Sequence, residues 1–266
     1  NLSINAAGNG GNILQQAWFD VEMKKSFAIR VGKFKTPFSH AYLTTLGETL
    51  MPTLPTSLTS SVILPYSLNA VTPNIGMGFD LGVEVHGLVK EKFGYEVGIF
   101  NGTGSSVNVA SKTFSDDWHI PSLLYAGRIT YMPKGVMPSN QGSPNRLKED
   151  KMLFGLSTSL SVESESESLY LGAEIYYMNV GFTKRQKIDE SYNYLGGYVQ
   201  GGYFVTNKLQ ATARYDFFNR NGLDTNGFLN MPAVGFNYFF TSCNLKLQAM
   251  YQFIGRTGHD TQLDRD

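Results

Sequence analysis

The side chains able to engage a charged solute fall into two sets. The basic set is Arg30, Lys33, Lys35, Arg128, Arg214 and Lys246. The acidic set is Asp20, Glu22, Asp80, Glu84, Glu96 and Glu174, joined by Asp216. Guanidinium and ammonium groups along a wall replace part of the hydration of a passing anion, and carboxylates do the same for cations. Opposite charges can equally pair with one another and hold the wall together. Arg30, Lys33 and Lys35 stand close together ahead of a long loop and form a candidate basic ladder. Their plainer role is pairing with Asp20 and Glu22. Metal chemistry is not expected: His40, His86, His119 and His259 lie far apart and share no ligand spacing. No cofactor motif is present either. NGTGSS at 101–106 and GNGGN at 8–12 lack the Lys and the strand-to-helix setting of a phosphate loop. RNGLDTNG at 220–227 lacks the bidentate Glu of a calcium loop.

Stepping along the chain, period-2 alternation recurs over nearly its whole length. In GMGFDLGVEVH at 76–86, Met77, Phe79, Leu81, Val83 and Val85 share one face, opposite Asp80, Glu84 and His86. Residues 123–131 set Leu123, Tyr125, Ile129 and Tyr131 against Arg128 and Thr130. Residues 209–217 set Leu209, Ala211, Ala213, Tyr215 and Phe217 against Gln210, Thr212, Arg214 and Asp216. Residues 245–253 repeat the pattern, with Lys246, Gln248 and Gln252 on the polar face. Weaker alternation runs through 13–23, 27–33, 94–100, 152–162, 169–180, 194–205 and 233–240. No segment has a helical period, so the expected fold is all-β.

Tight turns at Lys24–Ser26, Lys90–Lys92, Thr206–Lys208 and Ser242–Asn244 contrast with long connections at 35–74, 101–122, 181–193 and 219–231. Short turns at one end and long loops at the other mark a transmembrane antiparallel up-and-down β-barrel. Strands of about 9–12 residues match the length that crosses a bilayer with tilt. Composition agrees. Charged residues are 17% and aromatics 13% of 266 residues, while typical soluble domains carry about 25% charged residues. No apolar run approaches a membrane helix, and the mean hydropathy of −0.18 is what alternating lipid-facing and lumen-facing residues produce. Lys+Arg and Asp+Glu both total 22, which gives no argument for a nucleic-acid partner, and none is expected. The lone Cys243 excludes a disulfide framework within the chain.

The turn parity leaves an odd number of strands unaccounted for between about residues 100 and 190. Either a gap or a strand hidden from the alternation would supply it, and the SVESESES run at 161–168 is the expected place. About eleven strands are visible, about twelve with residues 2–8, and roughly fourteen to sixteen are expected in the complete barrel. The opening NLSINAAGNGGN and the closing TGHDTQLDRD read as incomplete ends of one barrel domain, residues 1–266.

The stretch FAIRVGKFKTPFSH at 27–40 resembles the phosphate-selective porin O and P family. The resemblance continues in order through AWFDVEM at 17–23, GFDLGVEVHG at 78–87, GYEVGIFNGTG at 94–104 and AGRITYMP at 126–133. It runs on through GAEIYYMNV at 172–180, GGYVQGGYFV at 196–205 and GFNYFF at 235–240. What the resemblance implies is a Gram-negative outer-membrane channel that is trimeric, has a pore lined by basic residues and is set in lipid and lipopolysaccharide. It also implies that residues 35–74 fold inward as a constriction. Two features depart from the family. Glu48-Thr49 stands where members tend to carry Glu-Arg. The faces established by alternation hold four bases (Arg30, Arg128, Arg214, Lys246) against seven acids. The expectation is passive diffusion of small hydrophilic solutes, anions such as phosphate among them, through a broad or weakly selective pore. An outer-membrane docking barrel in a larger complex is the alternative. A barrel enzyme would need acid, His and Ser groups converging on one rim, which four dispersed histidines do not provide.

Overall fold

The computed structural model describes residues 2–4, 14–58, 79–100, 123–138, 141–142, 144, 149–157, 159–181, 191–219, 228–241 and 245–257. Cys243, His119, His259, the second half of the 35–74 loop and the glycine-rich runs at 8–12, 101–106 and 220–227 lie outside them. So does the closing stretch 258–266. The chain forms two compact units, one of residues 1–38 with 62–131 and one of residues 39–61 with 132–266.

Unit 1 holds β1 (Leu2–Ile4), β2 (Leu14–Lys24), β3 (Phe27–Lys35), β4 (Phe79–Val89), β5 (Phe93–Phe100) and β6 (Leu124–Tyr131). Each pairs antiparallel with the next in chain order. Unit 2 holds β7 (Lys151–Leu156), β8 (Ser159–Glu165), β9 (Leu169–Gly181), β10 (Ser191–Phe204), β11 (Leu209–Asn219), β12 (Phe228–Thr241) and β13 (Leu245–Gln252), in the same up-and-down order. The short β14 (Gly255–Thr257) also pairs with β12. Pro232 falls opposite Phe253, in the break between β13 and β14. The ladder there tolerates a residue with no N–H to give. Among the described residues the first and last strands of each unit do not pair with each other. No helix of the described residues is long and apolar enough to cross a membrane.

The burial pattern is the reverse of a water-soluble sheet. Phe19, Val31, Leu81, Val97, Tyr125 and Ile129 of unit 1 are exposed, as are Leu171, Ile175, Val199, Val234, Leu247 and Tyr251 of unit 2. Asp80, Glu84, Glu163, Glu174, Gln210, Arg214, Asp216 and Asn237 are buried. Period-2 strands placed apolar-out and polar-in give this result when the outer solvent is lipid. Tyr131, Tyr177, Tyr215 and Phe240 are also exposed on the outer face. Gly32 has φ 135, and a Cβ there would run into the Ala17 carbonyl and the Trp18 backbone, so only glycine fits. The Phe100 ring lies across Gly82 and Gly98, filling space that any side chain at either position would occupy.

The single strand expected over 152–162 is two strands, β7 and β8, joined at Ser157–Thr158. Leu156 pairs with Leu160 and Phe154 with Val162, so partners across this hairpin have the same parity. Alternation therefore passes through the turn without a break in phase, which hides it from a periodicity reading. Six strands, β5 to β10, now separate Lys90–Lys92 from Thr206–Lys208, and the turn parity is restored. The missing strand is β8, SLSVESE, which overlaps the start of that serine- and glutamate-rich run. β10 and β12 also begin earlier than the alternation indicates, at Ser191 and Phe228, because a ladder needs backbone groups rather than apolar side chains.

Candidate functional site

On the polar face of unit 1, the register sets Asp20 opposite Arg30 and Arg30 opposite Glu84. The Arg30 guanidinium donates to one Asp20 oxygen from Nη2 at 2.9 Å and from Nε at 3.1 Å. Its Nη1 donates to Glu84 at 3.2 Å. The faces of the guanidinium are covered as well, by Trp18 at 4.5 Å and Phe34 at 5.5 Å. His86 Nε2 lies 3.0 Å from Asp20, and Glu96 stands between His86 on β4 and Arg128 on β6. Asp80 shares this face, opposite Phe34, and is fully buried, with Leu81 N–H donating to its carboxylate at 2.8 Å. Glu22, opposite Ala28, is exposed. The wall is therefore a lattice of alternating charge in which each cation touches or faces a carboxylate.

Lys33 and Lys35 do not join it. Lys33 pairs with Ala17 and Leu81, and Lys35 with Phe79, on the face that carries Val31. Lys35 Nζ sits 5.9 Å from the Phe79 ring. The expected ladder of Arg30, Lys33 and Lys35 is split by the period of the strand, since even-numbered residues of β3 take one face and odd-numbered residues the other.

The polar face of unit 2 is occupied by residues 39–58, which cross its strands as α1 (His40–Leu43), a 3-10 turn (Leu46–Glu48) and α2 (Thr56–Leu58). At one end Glu174 of β9 holds the segment. Its carboxylate accepts from Ser39 Oγ at 2.9 Å, His40 N–H at 3.2 Å and Tyr198 hydroxyl at 3.2 Å, and also from Ser159 Oγ. Ser39 Oγ in turn accepts from Tyr42 N–H at 3.2 Å and so caps α1. Burial pushes the Tyr42 phenol well above its ordinary range. His40 Nε2 meets Glu163 of β8 at 3.1 Å. In the middle, Gln141, Asn237 and Gln248 bind the backbone of Glu48–Leu50, with Asn237 Nδ2 donating to Leu50 O at 2.8 Å. Lys246 Nζ donates to Thr49 O at 2.9 Å, and Arg214 Nη1 to Thr53 O at 2.8 Å. At the far end Ser57 N–H donates to Asp216 at 3.2 Å and Tyr176 hydroxyl bonds Ser57 Oγ. Leu50, Met51 and Leu58 are buried beneath these contacts. Irregular backbone inside a barrel needs this kind of support, because each of its N–H and C=O groups must find a partner away from bulk water.

Three residues expected to meet solutes thus bind the protein itself: Glu174, Arg214 and Lys246. The sequence reading missed Glu163, Gln141, Gln200, Asn237 and Gln248. Glu163 was signalled by the alternation of SLSVESE at 159–165, whose Ser161, Glu163 and Glu165 all turn inward and are buried. Gln248 and Gln200 lie in alternating runs but carry no charge to single them out, and Gln141 lies outside every such run. Trp18, Tyr170, Tyr176 and Phe100 do have the polar-face parity. The last three are buried. Among the described residues no cluster of His, Cys, Asp or Glu could hold a metal.

A family model described as phosphate-selective porin O and P matches residues 1–170 and 166–266. The chain is a member of that family. No curated protein matches it. The porin's strand order and its polar-in, apolar-out faces agree with this membership, and the family is one of outer-membrane channels rather than enzymes. Within this porin, the anchoring of residues 39–58 on unit 2 and the charge lattice on unit 1 are the two features that bear on transport.

Proposed function

We propose that this porin spans the outer membrane of a Gram-negative cell and passes small hydrophilic solutes, anions such as phosphate among them, by passive diffusion with weak ionic selectivity. The protein is one outer-membrane barrel domain, assembled as a homotrimer in lipid and lipopolysaccharide, as family membership suggests. Residues 39–58 narrow the lumen. The observation that carries the weak selectivity is the saturation of Arg30, which has Asp20 and Glu84 on its edges and Trp18 and Phe34 on its faces. A cation so enclosed offers an anion little unshared charge. Arg128 faces Glu96 in the same lattice, and Arg214 and Lys246 are engaged by Thr53 and Thr49. Asp20, Glu22, Glu84 and Glu96 balance or exceed the cations near them on this wall, so the local field is small or negative.

The reversal potential of the purified full-length protein in a planar bilayer under a KCl gradient tests this. The expected value is near zero or on the cation side, with ohmic conductance that phosphate does not block. A strong anion potential with saturating, phosphate-sensitive conductance overturns weak selectivity. Absence of any channel overturns the porin reading itself.

A further inference from the structure

The tight turns of unit 1 carry a charge pattern that solute passage does not use. Lys24 and Lys25 lie at the turn from β2 to β3, and Lys90 and Lys92 flank Glu91 in the turn from β4 to β5. All four lysines are exposed. The turns lie side by side, since Leu88 N–H donates to Lys25 O at 2.7 Å and Tyr95 hydroxyl to Ser26 O at 2.8 Å. One acid stands among them, Glu91, 3.3 Å from Lys25. Among the described residues Lys24, Lys90 and Lys92 form no ion pair, so a net positive patch faces outward. Lys90 and Glu91 hold φ 53 and 54, left-handed values for which such turns ordinarily take Asn-Gly. Charged side chains occupy positions where sterics favour small ones.

Just inside the turns, the outer face carries Phe27, Val89, Phe93 and Tyr131, each 38–48% exposed. The rings of Phe93 and Tyr131 stack at 4.8 Å. Aromatic rings at strand ends sit at the headgroup level of a bilayer. Ammonium groups a few residues further out therefore lie at the depth of lipid phosphates, where anionic headgroups attract them. We propose that this end of unit 1 is a docking surface for anionic phospholipid, with Lys24, Lys25, Lys90 and Lys92 engaging the headgroup phosphates of the leaflet on the short-turn side. The proposal rests on the membrane-barrel reading above.

The test is native mass spectrometry of the delipidated full-length porin with an equimolar mixture of phosphatidylglycerol and phosphatidylcholine. Phosphatidylglycerol should be retained roughly tenfold over phosphatidylcholine. The variant combining Lys24→Gln, Lys25→Gln, Lys90→Gln and Lys92→Gln should fall to near parity, whereas Lys208→Gln, at a tight turn of unit 2, should keep the preference. Parity in the wild type, or an undiminished preference in the fourfold variant, overturns the proposal. Single-channel conductance separates the two readings. A conducting protein without lipid preference removes only the lipid surface, and a protein that never conducts removes the barrel beneath both.

Discussion

At the scale of single residues, the charges sort by what surrounds them rather than by their sign. Arg30 holds Asp20 and Glu84. Replacing it with Gln leaves those carboxylates without their counter-charge and should move the reversal potential toward cations, with Arg128→Gln acting in the same direction. Lys33→Gln should leave ion preference unchanged, because Lys33 shares a face with Val31 and Leu81. A shift for Lys33→Gln equal to that for Arg30→Gln would contradict this assignment of faces. Glu174→Gln keeps the volume of the side chain but weakens four charge-assisted acceptor contacts. A loss of about 3 kcal/mol is expected, read as a lower temperature of heat unfolding in detergent.

At the scale of elements, β8 is the decisive case. Its sequence, SLSVESE, has the polarity of a loop and the alternation of a strand. As a strand it turns Leu160 and Val162 outward, where both are exposed, and buries Ser161, Glu163 and Glu165. Leu160→Arg should therefore block insertion into liposomes, at a cost of about 2–4 kcal/mol if the residue lies near the bilayer midplane. Glu163→Gln, on the other face, should insert normally. Equal insertion of both variants would mean that this run does not cross the membrane. The alternation of these residues was legible. The hairpin before them was not, because partners of equal parity across Ser157–Thr158 carry the phase through the turn.

At the scale of the whole molecule, the segment 39–58 ties function to stability. It buries Leu50, Met51 and Leu58 and gives Arg214, Lys246 and Asp216 hydrogen-bond partners in one arrangement. Replacing residues 45–55 with a short Gly-Ser linker should raise single-channel conductance severalfold while strand content, followed by circular dichroism, is retained. It should also make the channel less heat-resistant, since buried wall charges lose their partners. Unchanged conductance would show that the segment does not limit the lumen.

The sequence by itself determined most of the strands, the face taken by side chains within the clearest alternating runs and the class of environment that would accept such faces. These follow from a backbone whose side chains alternate strictly, although the reading of Arg30, Lys33 and Lys35 as one ladder overlooked that parity, and it was the register of β3 that separated Arg30 from the two lysines. Tertiary structure decided the partners. Glu174, Arg214 and Lys246 have the same parity signal as Arg30, yet they hold Ser39, Thr53 and Thr49, which lie 135, 161 and 197 residues away in the chain. Spacing along a strand cannot register a contact across that distance. Whether a lumen charge meets solute, wall or loop depends on which backbone carbonyls and carboxylates folding brings to it.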